Sequence, residues 1–196
     1  MGIKEEKVLI RQEIRSRRSA LPDEVLLKVA KDIPDLLFSV DDPDLKSRLG
    51  NAKVIALYRS CKGELPLDEL AKLLIRKGIK VCFPKIENGE MNFYYCPSLE
   101  GKYFVSGEYG ITEPAQGLEK ILPEDIDIAV VPAIAYNEEG TRLGQGGGYY
   151  DKYFAQTNAY LIGICYDFQI CSELPEEPHD LTVDILLPVI TEDYEE

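Results

Sequence analysis

Ile128-Ala129-Val130-Val131 is an unbroken apolar run with no polar position in it. A strand of that kind has no face to offer water, so it must be covered on both sides, which points to a parallel sheet between two layers of helices. Strand-like runs lie at 54–58, 80–84, 91–96, 126–132, 160–166 and 183–189. Residues 3–21 carry a helical period, and Pro22-Asp23 can start a second helix towards Phe38. Asp41-Asp42-Pro43-Asp44 then breaks the chain, and 66–77 is helical again. The fold expected is α/β, with a mainly parallel sheet flanked by helices on both faces. The 91–96 run is the candidate for an antiparallel addition. A chain of 196 residues is long enough for one domain with a full core, so 1–196 is expected to form a single domain.

Charge narrows the function classes. The net charge of −13 argues against a general nucleic-acid or membrane surface, both of which call for basic patches. No apolar run approaches membrane-spanning length, and Met1-Gly2-Ile3-Lys4-Glu5-Glu6 lacks a signal-peptide core. A cytoplasmic monomer is the expectation. The five cysteines are odd in number and show no CxxC spacing, so neither a disulfide framework nor a zinc site is expected, and Cys82 and Cys165 read as core residues. His179, the one histidine, lies in the acidic loop Glu176-Glu177-Pro178-His179-Asp180, which gives Cys–His or Ser–His chemistry little to stand on.

The chemistry concentrates in residues 140–151, Gly-Thr-Arg-Leu-Gly-Gln-Gly-Gly-Gly-Tyr-Tyr-Asp. Glycines there accept backbone angles closed to other residues and let a ligand approach the main chain. The stretch follows an apolar run and leads into Tyr149-Tyr150-Asp151-Lys152-Tyr153-Phe154, so it joins a strand to a helix whose free N–H groups attract anions. It lacks the lysine and hydroxyl of GxxxxGK[ST]. A phosphate reading must therefore use Arg142 as the clamp, with Asp151 as a candidate magnesium ligand; a purely structural turn is the alternative.

The first helix adds a second basic element. At about 100° per residue, Lys7, Arg11, Arg15 and Arg18 fall within an arc of roughly 80°, bordered by Ile3, Ile10 and Ile14. A solvated face paired with Glu5, Glu6 and Glu13 is the commoner use of such a stripe, and a polyphosphate partner is the functional one.

With these residues in view, the chain resembles the 5-formyltetrahydrofolate cyclo-ligase family, also called methenyltetrahydrofolate synthetase. The strongest block is Arg142-Leu143-Gly144-Gln145-Gly146-Gly147-Gly148-Tyr149-Tyr150-Asp151, matching RLGxGxGYYD. Lys7 and Arg11 match an amino-terminal KxxxR pattern, and Glu64 lies in the matching segment Tyr58-Arg59-Ser60-Cys61-Lys62-Gly63-Glu64. Gly110-Ile111-Thr112-Glu113-Pro114, His179-Asp180 and Val183-Asp184 complete the ordered blocks, which span nearly the whole chain.

The resemblance implies an ATP- and Mg²⁺-dependent enzyme that converts 5-formyltetrahydrofolate to 5,10-methenyltetrahydrofolate and releases ADP and phosphate. Formamide oxygen is a poor leaving group; phosphorylating it lets N10 of the folate attack the formyl carbon and close the ring. The protein's share is then positioning and charge stabilisation. By matched motif, Lys7, Arg11 and Arg142 would bind ATP phosphates together with Gly144, Gln145, Gly146, Gly147, Gly148, Tyr149 and Tyr150. Arg142 and Tyr150 are the implied catalytic contacts. Glu64 would accept from the pterin N–H groups. Asp151 and Asp184 are the implied magnesium ligands. Tyr149 and Tyr150 line the folate site on this reading, with core packing as their alternative use. Arg15 and Arg18 match less closely than Lys7 and Arg11 and are not carried over. The chain has no tryptophan, so an aromatic wall must come from Phe or Tyr; Tyr58, Phe83, Phe93 and Tyr103 are the candidates. A sugar-phosphate isomerase or CoA-transferase-like enzyme on a related scaffold is the competing class, distinguished by a catalytic carboxylate and no folate-dependent ADP.

Overall fold

The computed structural model describes residues 2–61, 63–107 and 110–194. Lys62 of the Tyr58–Glu64 block and the last two residues of the acidic tail, Glu195 and Glu196, lie outside the described residues. The helices are α1 (Ile3–Ala20), α2 (Asp23–Ser39), α3 (Pro43–Asn51), α4 (Asp68–Arg76) and α5 (Tyr149–Phe154). The strands are β1 (Val54–Ala56), β2 (Lys80–Glu87), β3 (Glu90–Tyr95), β4 (Phe104–Ser106), β5 (Thr112–Pro114), β6 (Lys120–Ile121), β7 (Ile128–Val131), β8 (Ala135–Tyr136), β9 (Arg142–Leu143), β10 (Tyr160–Tyr166) and β11 (Ile185–Val189).

Seven strands form the central sheet in the order β11-β10-β7-β1-β2-β3-β6. The five from β11 to β2 are parallel, and β3 and β6 add antiparallel strands at one edge. The expected antiparallel addition is therefore β3. Its hairpin with β2 turns at Asn88-Gly89, both at positive φ (53° and 79°), the geometry that matches the twist of paired strands. From β1 the chain moves outward to β2, β3 and β6 on one side, and then returns to place β7, β10 and β11 on the other side of β1. In open α/β sheets the crevice at such a reversal, beyond the carboxyl ends of the strands, is where ligands bind.

Both faces of the sheet are covered, unequally. On one, Val29, Ile33 and Leu37 of α2, Leu45 of α3, and Leu70 and Leu74 of α4 pack on Ile55, Val81, Val130 and Ile162. On the other, Phe154 of α5, Phe93 and Tyr136 cover Ala56, Cys82, Ala129, Val131 and Cys165. Cys82 and Cys165 are core residues, and burial pushes the Cys165 thiol up to about 12, so neither supplies a thiolate. A truncation such as Leu70→Ala, at a side chain with no exposure, removes about 2–5 kcal/mol.

Two local differences from the sequence reading have clear causes. Asp42-Pro43 starts a helix rather than only breaking one: the Asp42 carboxylate accepts from Leu45 N–H at 2.7 Å, and Pro43 sits in the first turn, where its missing donor costs nothing. The acidic tail 191–196, whose composition alone leads one to expect fraying, forms a short 3₁₀ turn at Thr191–Tyr194, held where Thr191 donates twice to Asp167 Oδ1, at 3.1 and 2.9 Å.

Candidate active site

Helix α1 lies across the end of the sheet, its Ile14 buried against Ile134, Ala135 and Leu143. That packing buries the two ends of the basic stripe, Lys7 and Arg18, and half-buries Arg11, while Arg15 stays exposed. Lys7 is 5% exposed and Arg18 2%, and the ion pairs of the described residues include none with Glu5, Glu6 or Glu13. The stripe runs along three loops in turn. The Lys7 ammonium reaches Asp180 Oδ2 at 2.6 Å and Glu177 Oε2 at 2.9 Å. Arg11 Nε donates to Gly144 O at 2.9 Å, and Arg15 Nη2 to Gln145 Oε1 at 2.5 Å. Arg18 donates to Gly63 O at 3.3 Å and Cys61 O at 3.4 Å, and its Nη2 stands 3.4 Å from Glu64 Oε1.

The glycine-rich stretch connects the β8–β9 hairpin to α5. Gly148 caps the helix in the left-handed conformation (φ 65°), which an L side chain would strain, and the chain enters α5 there with Gly147, Gly148, Tyr149 and Tyr150 on the cleft. Arg142 on β9 is 3% exposed. It is held by Pro132 O (Nη1, 2.7 Å) and Asp151 Oδ2 (Nη2, 2.9 Å), with its guanidinium 5.2 Å from the Tyr150 ring centroid. Its Nε is buried with no hydrogen-bond partner among the described residues. A buried donor left open in this way is worth filling with an acceptor.

These elements enclose a cleft of about 1200 Å³. Its walls come from α1 (Arg15, Arg18), the end of β1 and its loop (Tyr58, Arg59, Cys61, Glu64), the β2–β3 side (Pro84, Ile86, Met91), Ile111 to Glu113, Pro132 after β7, and Arg142, Gln145, Tyr149 and Tyr150. Tyr58 and Pro132 mark the β1–β7 reversal point, where the topology places a ligand crevice. The volume exceeds that of a typical single-ligand pocket, roughly 300–1,000 Å³. Burial, reinforced by the Glu64 charge, drives the Tyr150 phenol far above its ordinary range, so it is a hydrogen-bond donor at neutral pH rather than a base. Arg11 is lowered by burial and by Arg15, yet an arginine so shifted is still a cation.

Of the site residues expected from sequence, Glu64, Arg142, Gln145, Gly147, Gly148, Tyr149 and Tyr150 meet at the cleft. Arg11 contacts the glycine loop at Gly144, and Lys7 stands farther along α1 against the Glu177–Asp180 loop, both outside the cleft wall. Asp151 lies behind Arg142, its second oxygen accepting from Leu181 N–H at 3.1 Å. Asp184 is placed elsewhere: it precedes β11 and its carboxylate accepts from Leu161 N–H at 2.7 Å, at the amino end of the sheet. Among the described residues, the donor set brought together is Glu177, His179 and Asp180, whose ligand atoms lie within 4.8 Å of one another. Of the four candidate wall aromatics, Tyr58 lines the cleft, whereas Phe83 and Phe93 are 1% exposed in the core and Tyr103 does not reach it. The apolar wall is instead Pro84, Ile86, Met91 and Ile111, which no periodicity flagged because it is built from strand ends and a loop.

The sequence model of the 5-formyltetrahydrofolate cyclo-ligase family matches residues 3–189. The 5-formyltetrahydrofolate cyclo-ligase of Haemophilus influenzae is 32% identical over 145 residues, covering 69% of this chain and 76% of that protein. The enzyme of the same name from Mus musculus is 25% identical over 91% of both chains. Among solved structures, the Aquifex aeolicus 5,10-methenyltetrahydrofolate synthetase superposes with a TM-score of 0.78 at 32% identity, covering 93% of this chain and 89% of that one.

Proposed function

The chain belongs to the 5-formyltetrahydrofolate cyclo-ligase family, and from that premise we propose that it closes the ring of 5-formyltetrahydrofolate to give 5,10-methenyltetrahydrofolate, consuming ATP and releasing ADP and phosphate. The observation that carries the reading is the juxtaposition, across one cleft, of a glycine-rich anion loop with Arg142 on one side and the Glu64 carboxylate on the other. Gln145 links the two, its Nε2 3.4 Å from Glu64 Oε1. A phosphate-bearing cosubstrate and a ligand rich in ring N–H groups would thus meet in a space large enough for both.

The chemistry divides accordingly. Glu64 fixes the pterin by accepting from its N–H groups, which orients the formyl oxygen toward the loop. Arg142 and the loop N–H groups would face the transferring phosphoryl group, where charge spreads over its oxygens, with Arg11 adding positive charge from behind the loop at Gly144. Tyr150, kept protonated, can donate to the formyl or phosphoryl oxygen but does not take a proton. N10 then attacks the activated carbon and phosphate leaves. Lys7, beyond Arg11 and ion-paired with Asp180 and Glu177, would lie on the side of the α- and β-phosphates.

A magnesium ion would offset phosphate charge, with Asp151 and Asp184 as the ligands proposed from sequence. The convergence of Glu177, His179 and Asp180 beside Lys7 favours a second assignment, in which that loop supplies the oxygens. Asp184→Asn and Asp180→Asn separate the two: the variant of a true ligand needs more Mg²⁺ for half-maximal rate, and the other does not.

The proposal is tested by incubating the protein with ATP, Mg²⁺ and 5-formyltetrahydrofolate while following methenyl absorbance and ADP together. Equal amounts of the two are expected. ADP release independent of folate, or product without ATP, refutes the coupled reaction.

A further inference from the structure

Arg18 is the largest fully buried side chain of α1, yet no step above uses it. Burying a guanidinium is costly unless its donors are satisfied, so its surroundings tell what it is for. Three of its polar contacts belong to the loop that carries Glu64: Gly63 O, Cys61 O and Glu64 Oε1, all within 3.4 Å. The loop also packs on the helix backbone beneath it. Gly63 has φ +76°, and a Cβ there would stand 2.8 Å from Arg18 O, so only glycine permits the approach. The Glu64 carboxylate is held from both sides, Oε2 accepting from Cys61 N–H at 3.1 Å and Oε1 facing Arg18 and Gln145.

We propose that Arg18 is a positioning residue for the folate half of the cleft, holding Cys61, Gly63 and Glu64 so that the Glu64 carboxylate meets the ligand's N–H groups in one orientation. The inference rests on the folate reading above. Arg18 reaches two loop carbonyls and the carboxylate at once, which a planar guanidinium can do and a lysine ammonium on a shorter stem cannot reproduce. Because these contacts are with the Glu64 loop and reach the glycine-rich loop through Glu64 and Gln145, its removal should be felt more by the folate than by the nucleotide.

The test uses Arg18→Lys and Arg18→Met, each checked for a cooperative melt and titrated at equilibrium with 5-formyltetrahydrofolate and, separately, with a nonhydrolysable ATP analogue. Folate Kd should rise on the order of tenfold with nucleotide Kd within about twofold, and KM for folate should rise more than kcat falls. Adding Glu64→Gln to Arg18→Lys should weaken folate no further than Glu64→Gln alone, since both act on one interaction. Should Arg18→Met fail to fold, Arg18→Lys carries the comparison, and ¹⁵N spectra of the wild-type protein add a second reading in which the Arg18 Nε–H resonance moves with folate and not with the nucleotide analogue. Wild-type folate affinity in a folded Arg18 variant, equal losses for both ligands, or additive defects with Glu64→Gln would overturn the role. A wild-type protein that binds no 5-formyltetrahydrofolate would instead overturn the functional reading on which it stands.

Discussion

The two ends of the parallel sheet use aspartate and glutamate in different ways. At the amino end, Asp127 accepts from Lys53 N–H at 2.7 Å and Val54 N–H at 2.9 Å, and Asp184 from Leu161 N–H at 2.7 Å. These carboxylates complete the hydrogen bonding of strand starts whose ladder partners have run out. Toward the carboxyl end, carboxylates that also accept from backbone N–H groups take cations as well: Arg142 with Asp151, Lys7 with Asp180 and Glu177, Arg18 with Glu64. A backbone N–H needs an acceptor whatever the protein does. A buried cation needs a reason, and two of these three, Arg18 and Arg142, line one cleft, with Lys7 farther along the same helix as Arg18, in a chain of net charge −13. The difference between structural and functional carboxylates is therefore in what they neutralise, and the variants below are chosen to break that distinction.

The largest effect is expected at Arg142. Arg142→Ala strips Asp151 and the Pro132 carbonyl of their donor inside a site that is 3% exposed at the arginine. Breaking a buried pair typically costs about 3–5 kcal/mol, and removing a charge-stabilising donor about 10²–10³ in turnover. Both losses should be visible, the first in denaturant midpoint and the second in kcat on whatever fraction is folded. A stable variant with wild-type turnover would put Arg142 among the structural residues despite its place.

Glu64→Gln comes next. It keeps the shape of the side chain and removes the charge that accepts from ligand N–H groups, so folate affinity should fall roughly ten- to a hundredfold, the worth of a charge-assisted hydrogen bond of about 1.5–3 kcal/mol. Nucleotide affinity should hold. Unchanged folate binding by equilibrium titration would remove Glu64 from the substrate site.

How much of this was legible without coordinates follows the same division. Ile128–Val131 announced a strand covered on both faces, and the glycine-arginine-tyrosine block announced a loop that lines the cleft, because each is a contiguous pattern. The apolar wall was not legible, since Pro84, Met91 and Ile111 become neighbours only when β2, β3 and the loop before β5 are assembled. Neither was the fate of the basic stripe. A helical wheel places Lys7 and Arg18 on one side but does not say whether that side is covered, and burial of Ile14 against β8 and β9 decided it. Asp184 illustrates the limit most sharply: its motif suits a metal ligand, while its position gives it the same backbone-capping task as Asp127.

That pairing supplies the third prediction. Asp127→Asn should cost about 0.5–1.5 kcal/mol of stability, the worth of a hydrogen bond, and leave kcat and the Mg²⁺ requirement alone. If Asp184 serves only the sheet, Asp184→Asn behaves in the same way; if it also holds magnesium, its Mg²⁺ titration shifts while that of Asp127→Asn does not. A metal shift in Asp127→Asn would show that the amino end is not separate from the site at all.

The smallest effect lies in the pH dependence of the Lys7 cluster. Burial alone would lower the Lys7 ammonium, but its hydrogen bonds and charge contacts with Asp180 and Glu177 outweigh that, and its value is raised above the ordinary 10.5. A raised value means the folded state holds the proton more tightly, so the contribution is complete below 10.5 and is lost as pH climbs through the folded value. Glu177 is shifted the other way, below its ordinary 4.5, chiefly by its hydrogen bond to Lys7; its share is complete above 4.5 and disappears as pH falls through the lower folded value. The stability gap between wild type and Lys7→Met should therefore be level across the neutral range and narrow at both extremes, read as urea midpoints from about pH 3 to 11. Asp127→Asn should lack the alkaline limb, because its partners are backbone N–H groups that do not titrate. A Lys7→Met gap that stayed constant into alkali would mean that the ammonium is not what holds Asp180 and Glu177 in place, and the contrast between the two ends of the sheet would then rest on Arg142 and Arg18 alone.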